Sequence, residues 1–367
     1  MCIRDSTVIA NPSLKWETQI STDIALEFGL FDRLTGTIEY FKKDSKDLLF
    51  DVSQPASVGV TSIIQNIGKV TNSGVEIELD YNAFKNKDWS VSVGANATFV
   101  KNKIKNLPAT MKENGYISGS KKWLEGKSIY EFWLRQWHGV DPQTGDGLYV
   151  ADVSKYNQGN IGTGDGNITQ SQFDEYKKTV VTIDGKELTN SYTYAKYDFS
   201  GSSIPDVYGG FNVRVSYKNF DLAAVFSYQL GGQILDTNYA TMMSMTEFGY
   251  AQSPDLLKAW KQAGDITEVP RIDNSAAHTT NIGQSYSTRW LTSSDYLNLR
   301  SVTIGYQLPK TWLSKVMLKS ARLNLTAENL FMLKARQGLN PMANYSGVTY
   351  NEYMPSRNIT LGLNVSF

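Results

Sequence analysis

Five tryptophans, Trp123, Trp133, Trp137, Trp260 and Trp290, lie in the two longest stretches of the chain that lack a regular pattern. An indole plane suits the C–H face of a sugar ring, and it suits packing inside a folded loop equally well. Both readings stay open for these five. Glu76, Glu78 and Asp80 stand at every second position, which puts three carboxylates on one strand face. Same-face carboxylates without a metal merely repel. The better reading is a hydrated row met by Arg214 or Arg322 from other strands, not a catalytic pair.

Other chemistry is missing. His138 and His278 lie far apart without ligand-like neighbours and read as loop residues rather than metal ligands. Residues 162–167 superficially suggest a phosphate or calcium loop. They lack the Lys-Ser/Thr of a P-loop, and the glycine an EF-hand needs six places into the loop is Gln170 here. A plain turn-rich loop is the better reading. No Walker loop, nucleophile elbow or zinc-protease helix occurs. The expectation is a protein that is not an enzyme, with no cofactor and no metal.

Charge narrows the partners. Lys and Arg total 36 and Asp and Glu total 36, so there is no electrostatic footprint for nucleic acid. Cys2 is the only cysteine, which excludes an intrachain disulfide. No run approaches the roughly 18 apolar residues of a transmembrane helix, and the mean hydropathy is −0.33. A membrane barrel escapes that test, because alternate residues face its lumen and large loops dilute the mean. The opening Met1-Cys2-Ile3-Arg4-Asp5-Ser6 has neither the basic start nor the apolar run of a signal peptide. It resembles an artefactual start, so residues 1–10 are left unassigned.

The elements that would position these residues are strands. Ile20, Thr22, Ile24, Leu26, Phe28 and Leu30 share one face, with Ser21, Asp23 and Glu27 opposite. The same alternation recurs at Leu34–Tyr40, Val75–Tyr81, Trp89–Phe99, Phe211–Tyr217, Phe220–Tyr228, Tyr296–Tyr306 and Ala321–Ala327. The Tyr296–Tyr306 strand switches face near Arg300–Ser301, as a β-bulge would make it do. Ser253 followed by Pro254 reads as the start of a short helix. Residues 42–72 read as a long connection and residues 101–205 as irregular, with a local hairpin at most.

The closing stretch, residues 359–367, sets Leu361, Leu363, Val365 and Phe367 on one face and Thr360, Gly362, Asn364 and Ser366 on the other. A strand ending on an apolar aromatic is a poor free edge in water. It makes sense as the seam of a barrel in lipid, its terminal ring at the membrane boundary. Connections alternate short and long throughout, as in outer-membrane barrels with short periplasmic turns and long extracellular loops. Phe28, Tyr81, Trp89, Tyr217, Phe220, Tyr306 and Phe367 gather beside the short turns like an interfacial girdle. The expected fold is all-β: part of an antiparallel transmembrane β-barrel, with roughly nine strands in this chain. The first and last of these run the same way, so the chain reads as a C-terminal fragment.

Several motifs in order also resemble a known family. They are Asn11-Pro12-x-Leu14-Lys15-Trp16-Glu17, Asn66-Ile67-Gly68-Lys69-Val70-x-Asn72-x-Gly74-Val75-Glu76, and Glu125-Gly126-Lys127-Ser128 ahead of Gly139-Val140-Asp141-Pro142. Ile204-Pro205-x-x-Tyr208-Gly209-Gly210-Phe211, Asp295-Tyr296-Leu297-x-Leu299-Arg300 and Ala327-Glu328-Asn329-Leu330 follow. From about Asn11 to Phe367 the chain resembles the C-terminal barrel portion of a SusC/RagA-type TonB-linked outer-membrane transporter. The resemblance implies an outer-membrane barrel of about 22 strands that imports oligosaccharides or peptides. It implies a SusD-like surface lipoprotein, the TonB complex, outer-membrane lipid and the barrel-assembly machinery as partners. Residues 11–367 would then be a partial barrel, without plug domain. The rival readings are a passive porin or structural barrel, and a secreted carbohydrate-binding β protein.

Overall fold

The computed structural model describes residues 11–367 apart from 54–61, 164–165, 245–248, 250, 274, 276–277, 279–281, 284–285 and 314–317. Period-two alternation builds a wall of long strands. β1 (Thr18–Leu30) turns into β2 (Leu34–Ser53) through Phe31 and Asp32, whose φ values of 59° and 52° are left-handed. β3 (Ser62–Lys85) and β4 (Trp89–Asn106) make the next hairpin. Its turn is shaped by the Asn86 side-chain oxygen, which accepts the backbone N–H groups of Asp88 and Trp89 at 2.9 and 2.7 Å.

After β4 the chain leaves the wall. It forms β5 (Tyr116–Ser118), β6 (Lys121–Trp123), β7 (Glu131–Arg135), β8 (Trp137–Val140) and β9 (Gly147–Val150). A helix, α1 (Gln170–Thr179), then precedes β10 (Val180–Ile183), β11 (Lys186–Thr189) and β12 (Tyr197–Ser202). Thr169 caps α1 in a reciprocal pair with Gln172. These strands make two four-stranded sheets, β12-β7-β6-β5 and β10-β11-β9-β8. The stretch expected to be irregular is therefore folded.

The wall resumes with β13 (Val207–Tyr217) and β14 (Phe220–Leu230). β15 (Gln233–Leu235) and β16 (Leu291–Ser293) pair with each other outside the wall. β17 (Tyr296–Gln307), β18 (Ser320–Lys334) and β19 (Asn358–Ser366) finish it. Among the described residues the wall is one nine-stranded antiparallel sheet, ordered β1-β2-β3-β4-β13-β14-β17-β18-β19, and it is not closed. β1 to β2, β3 to β4, β13 to β14 and β17 to β18 are joined at one end of the wall; β4 to β13, β14 to β17 and β18 to β19 are joined at the other. The expected short–long alternation holds only in part: β2 ends at Ser53 and β3 starts at Ser62, so that connection is shorter than the twelve residues between β17 and β18.

One sequence reading of the wall needs correction. Residues 42–72 are mostly strand, since β2 runs on to Ser53 and β3 starts at Ser62. In that extension Asp44 accepts from Thr71 at 2.6 Å and lies 3.6 and 3.9 Å from Lys42 and Lys69, so polar side chains hold the ladder and no apolar alternation marks it. The short helix expected after Ser253 is present as a 3-10 helix, Pro254–Lys258, with Ser253 accepting the Asp255 N–H. The bulge stands where the face switches: Leu299 pairs with Phe226 and Ser301 with Val225, leaving Arg300 unmatched.

Burial is inverted relative to a protein in water. The wall's outer face leaves Ile24, Leu26 and Leu361 66%, 64% and 75% exposed. The packed cores lie in the loops at the long-loop end. One holds Phe132, Leu134, Leu235 and Trp290, a second holds Tyr156, Tyr176 and Tyr194, and a third holds Ile104, Leu107 and Met111. Side chains in a wall of this kind need a surrounding apolar solvent on one face. At the short-turn end, Trp89 meets Tyr217 at 4.3 Å and Phe220 meets Tyr306 at 4.4 Å between ring centroids.

Candidate functional site

The inner face of the wall is polar. Glu76, Glu78 and Asp80 of β3 face Glu39, Thr37 and Thr35 of β2 in register. Among the described residues no ion pair reaches these three carboxylates from Arg214 or Arg322. Arg322 instead bridges to Asp221 at 2.6 Å, which corrects the expected pairing. Glu78 and Asp80, with Glu27 and Thr37, edge an open groove of about 570 Å³.

The five tryptophans divide by what surrounds them. Trp123 donates its indole N–H to the Ile129 carbonyl at 3.1 Å and meets Phe50 edge-on at 5.6 Å, against the Ile104–Leu107–Met111 core. Trp260 donates to the Pro142 carbonyl at 2.9 Å, with its ring over Gly145. Trp290 is only 2% exposed. Trp133 and Trp137 are half-buried, at the C-terminal half of β7 and the start of β8. The structure thus brings Trp137 and Trp290 together and sets the other three apart.

Trp137 and Trp290 line a partly enclosed cavity of about 330 Å³ with Tyr239, Arg289 and Glu268. The Trp137 backbone N–H is fixed by Thr288 Oγ1 at 2.9 Å, and its ring meets Tyr149 edge-on at 5.1 Å. Gly147 is required beneath it, because a Cβ there would lie 2.5 Å from the indole. The Arg289 guanidinium sits between the two indoles, 4.8 Å from Trp137 and 4.3 Å from Trp290. Burial pulls it down to about 10, which leaves it cationic at neutral pH. Arg336 lies 3.7 Å over the Tyr239 ring, whose hydroxyl donates to Asp255 at 2.8 Å. A cation between aromatic planes can hold an acidic or hydroxyl-rich solute. No sequence signal marked Arg289 or Arg336, since lone arginines in loops have no pattern.

Comparison with known proteins adds a family. A profile described as TonB dependent receptor-like, beta-barrel matches residues 3–124. TonB-dependent receptor P3 of Formosa agariphila is 30% identical over 380 residues, which is 98% of this chain and 35% of that protein. TonB-dependent receptor SusC of Bacteroides thetaiotaomicron is 24% identical over 97% of this chain and 32% of its own length. A solved structure of the RagAB peptide transporter superposes with a TM-score of 0.76 at 25% identity, covering 98% of this chain and 36% of that one. The chain resembles the TonB-dependent receptors of SusC and RagA type. It spans about a third of the length of the curated relatives it matches. Their kind are receptors and transporters rather than catalysts, and they are outer-membrane barrels. The two-faced wall is the pattern such a barrel requires.

The closing strand follows the same pattern. Leu361, Leu363 and Val365 pair with Leu325, Leu323 and Ala321 on the outward face, and Phe367 beyond them is 83% exposed.

Proposed function

We propose that residues 11–367 form part of the barrel of a TonB-dependent outer-membrane importer of oligosaccharides or peptides. The single observation that carries this reading is the combination of an apolar-outside, polar-inside wall with folded loops at one end only. Its likeness to SusC and to the RagAB peptide transporter supports the same reading. In it the long-loop end is extracellular and the short turns are periplasmic. A SusD-like surface lipoprotein covers the loops, and the TonB complex acts through a plug belonging to the longer protein. Outer-membrane lipid wets the outer face, and the barrel-assembly machinery reads Leu361, Leu363, Val365 and Phe367. Trp123, Trp133, Trp137, Trp260 and Trp290 belong to the loops that meet the substrate, and all but the buried Trp290 are partly exposed.

The test is uptake of a labelled oligosaccharide or peptide by cells carrying the full-length protein, with TonB present or deleted. Loss of uptake without TonB is the expected result. Uptake that persists points to a passive porin. Recovery of the protein in soluble form without detergent points to a secreted carbohydrate-binding protein.

A further inference from the structure

The sheet β12-β7-β6-β5 has two unlike faces. Phe132 and Leu134 are fully buried on one, whereas Trp133 and Arg135 alternate to the other and stay half-exposed. Register puts Phe199 opposite Trp133 and Tyr197 opposite Arg135. Trp133 lies nearly parallel to Tyr197 at 6.2 Å and meets Phe199 edge-on at 4.9 Å between centroids, so three rings form one cluster. Three cations rest on it. Lys122 Nζ is 4.1 Å from the Trp133 centroid, Lys127 Nζ is 4.7 Å from Phe199, and the Arg135 guanidinium is 4.6 Å from Tyr197.

Among the described residues none of these three cations has an ion-pair partner within 4 Å. Asp198 is paired with Lys196 at 2.8 Å, and Lys127 is near enough to add to the stabilisation of its carboxylate without forming an ion pair. We propose that this face binds an acidic oligosaccharide, one carrying uronate or sulfate groups. The inference rests on the importer reading and narrows its substrate class. A cation on an aromatic face in contact with water is held weakly, and a charge-assisted hydrogen bond to an acidic group outcompetes it. Lys122 and Lys127 then move to the acid, while Arg135, fixed by donation of its Nε–H to the Tyr192 carbonyl at 2.9 Å, offers its remaining N–H groups, and the ring face that Lys122 leaves accepts the C–H face of the sugar. A neutral sugar has nothing to draw the cations off the rings. An acidic peptide draws them off but offers no sugar face to replace them.

The test uses the full-length protein in detergent and isothermal titration calorimetry. The probes are an oligogalacturonate, a sulfated galactan oligosaccharide, a neutral maltooligosaccharide of matched length and an oligoglutamate. One acidic sugar should bind at least tenfold more tightly than the neutral sugar and the oligoglutamate, and which one does so separates uronate from sulfate. Lys122→Gln with Arg135→Gln, and separately Trp133→Phe, should each weaken that binding, the pair at least tenfold and with a shallower salt dependence. An unchanged heat-dependent gel shift shows that the variants fold. Equal binding of the neutral sugar or the oligoglutamate, no binding of either acidic sugar, or an unaffected double variant overturns the proposal. Failure of the importer reading shows separately, as uptake that does not need TonB.

Discussion

The Arg322 guanidinium of β18 donates to Asp221 Oδ2 of β14 at 2.6 Å, across the strand that lies between them. The bridge passes over Gly305 of β17, where a Cβ would stand 2.6 Å from the Asp221 carboxylate. Gly305 is needed there for space rather than for backbone freedom. The two side chains are 36% and 30% exposed, so solvent screens the pair and its worth is under about 1 kcal/mol. Gly305→Leu should separate Arg322 from Asp221 and lower the temperature of the heat-dependent gel shift of the full-length barrel. The same substitution should cost less in an Asp221→Ala background, because the pair is already gone. Equal losses in both backgrounds would show that the bridge is not what the leucine disturbs.

Trp290 and Trp133 should respond oppositely to truncation. Trp290 is 2% exposed in a core with Phe132 and Leu134, so Trp290→Ala removes packed volume at a cost of about 3–5 kcal/mol. Trp133 is half-exposed, and Trp133→Ala should cost under about 1.5 kcal/mol. Limited proteolysis of the loops against denaturant reads both. Equal susceptibility of the two variants would contradict the division into core and surface rings.

Lys121 gives the loops a pH dependence. Its Nζ donates to the Tyr130 carbonyl at 2.9 Å and to Ser203 Oγ at 3.1 Å, 3.5 Å from the Phe132 centroid. Burial pulls its pKa down from 10.5 to about 7, against a smaller opposing effect of Glu131. Between those values the unfolded chain holds the proton and the folded one does not, so stability rises with pH. Below about 7 both states are protonated and the slope vanishes. Loop resistance to proteolysis should therefore increase from pH 7 to about 9.5 in the native protein, and Lys121→Met should flatten the increase. Above pH 10 the trend reverses, because burial pushes Tyr176 and Tyr194 up to about 12 and their neutral forms favour the folded state.

Deleting Phe367 from the full-length protein should reduce its level in the outer membrane. The ring is 83% exposed beyond the end of β19, so its loss removes little packing from this chain. Immunoblots of membrane fractions measure the effect; unchanged levels in the deletion strain would remove Phe367 from the assembly signal.

The wall was legible because lipid and lumen impose opposite polarities on alternate residues, as at Ile24, Leu26 and Phe28 against Asp23 and Glu27. Even the bulge at Arg300 announced itself as a break in that alternation. Where β2 and β3 leave the apolar layer the demand on the outer face disappears, and Lys42, Asp44, Lys69 and Thr71 read as loop although they are strand. The loop sheets were hidden for a different reason. Strands of three to six residues carry too few alternations, and their pairing joins distant segments, as Tyr197 with Arg135. The loop tryptophans were visible as residue types, but Arg289 between two of them was not.

The long strands have one further consequence. β13 and β14, at 11 residues each, are about the length a tilted strand needs to cross a bilayer. β2 and β3, at 20 and 24 residues, continue for roughly another 30–45 Å of strand. The rim of the wall is not level. It rises as a screen on one flank and drops to a sill on the other, so approach to this end of the molecule is directional before any side chain is touched.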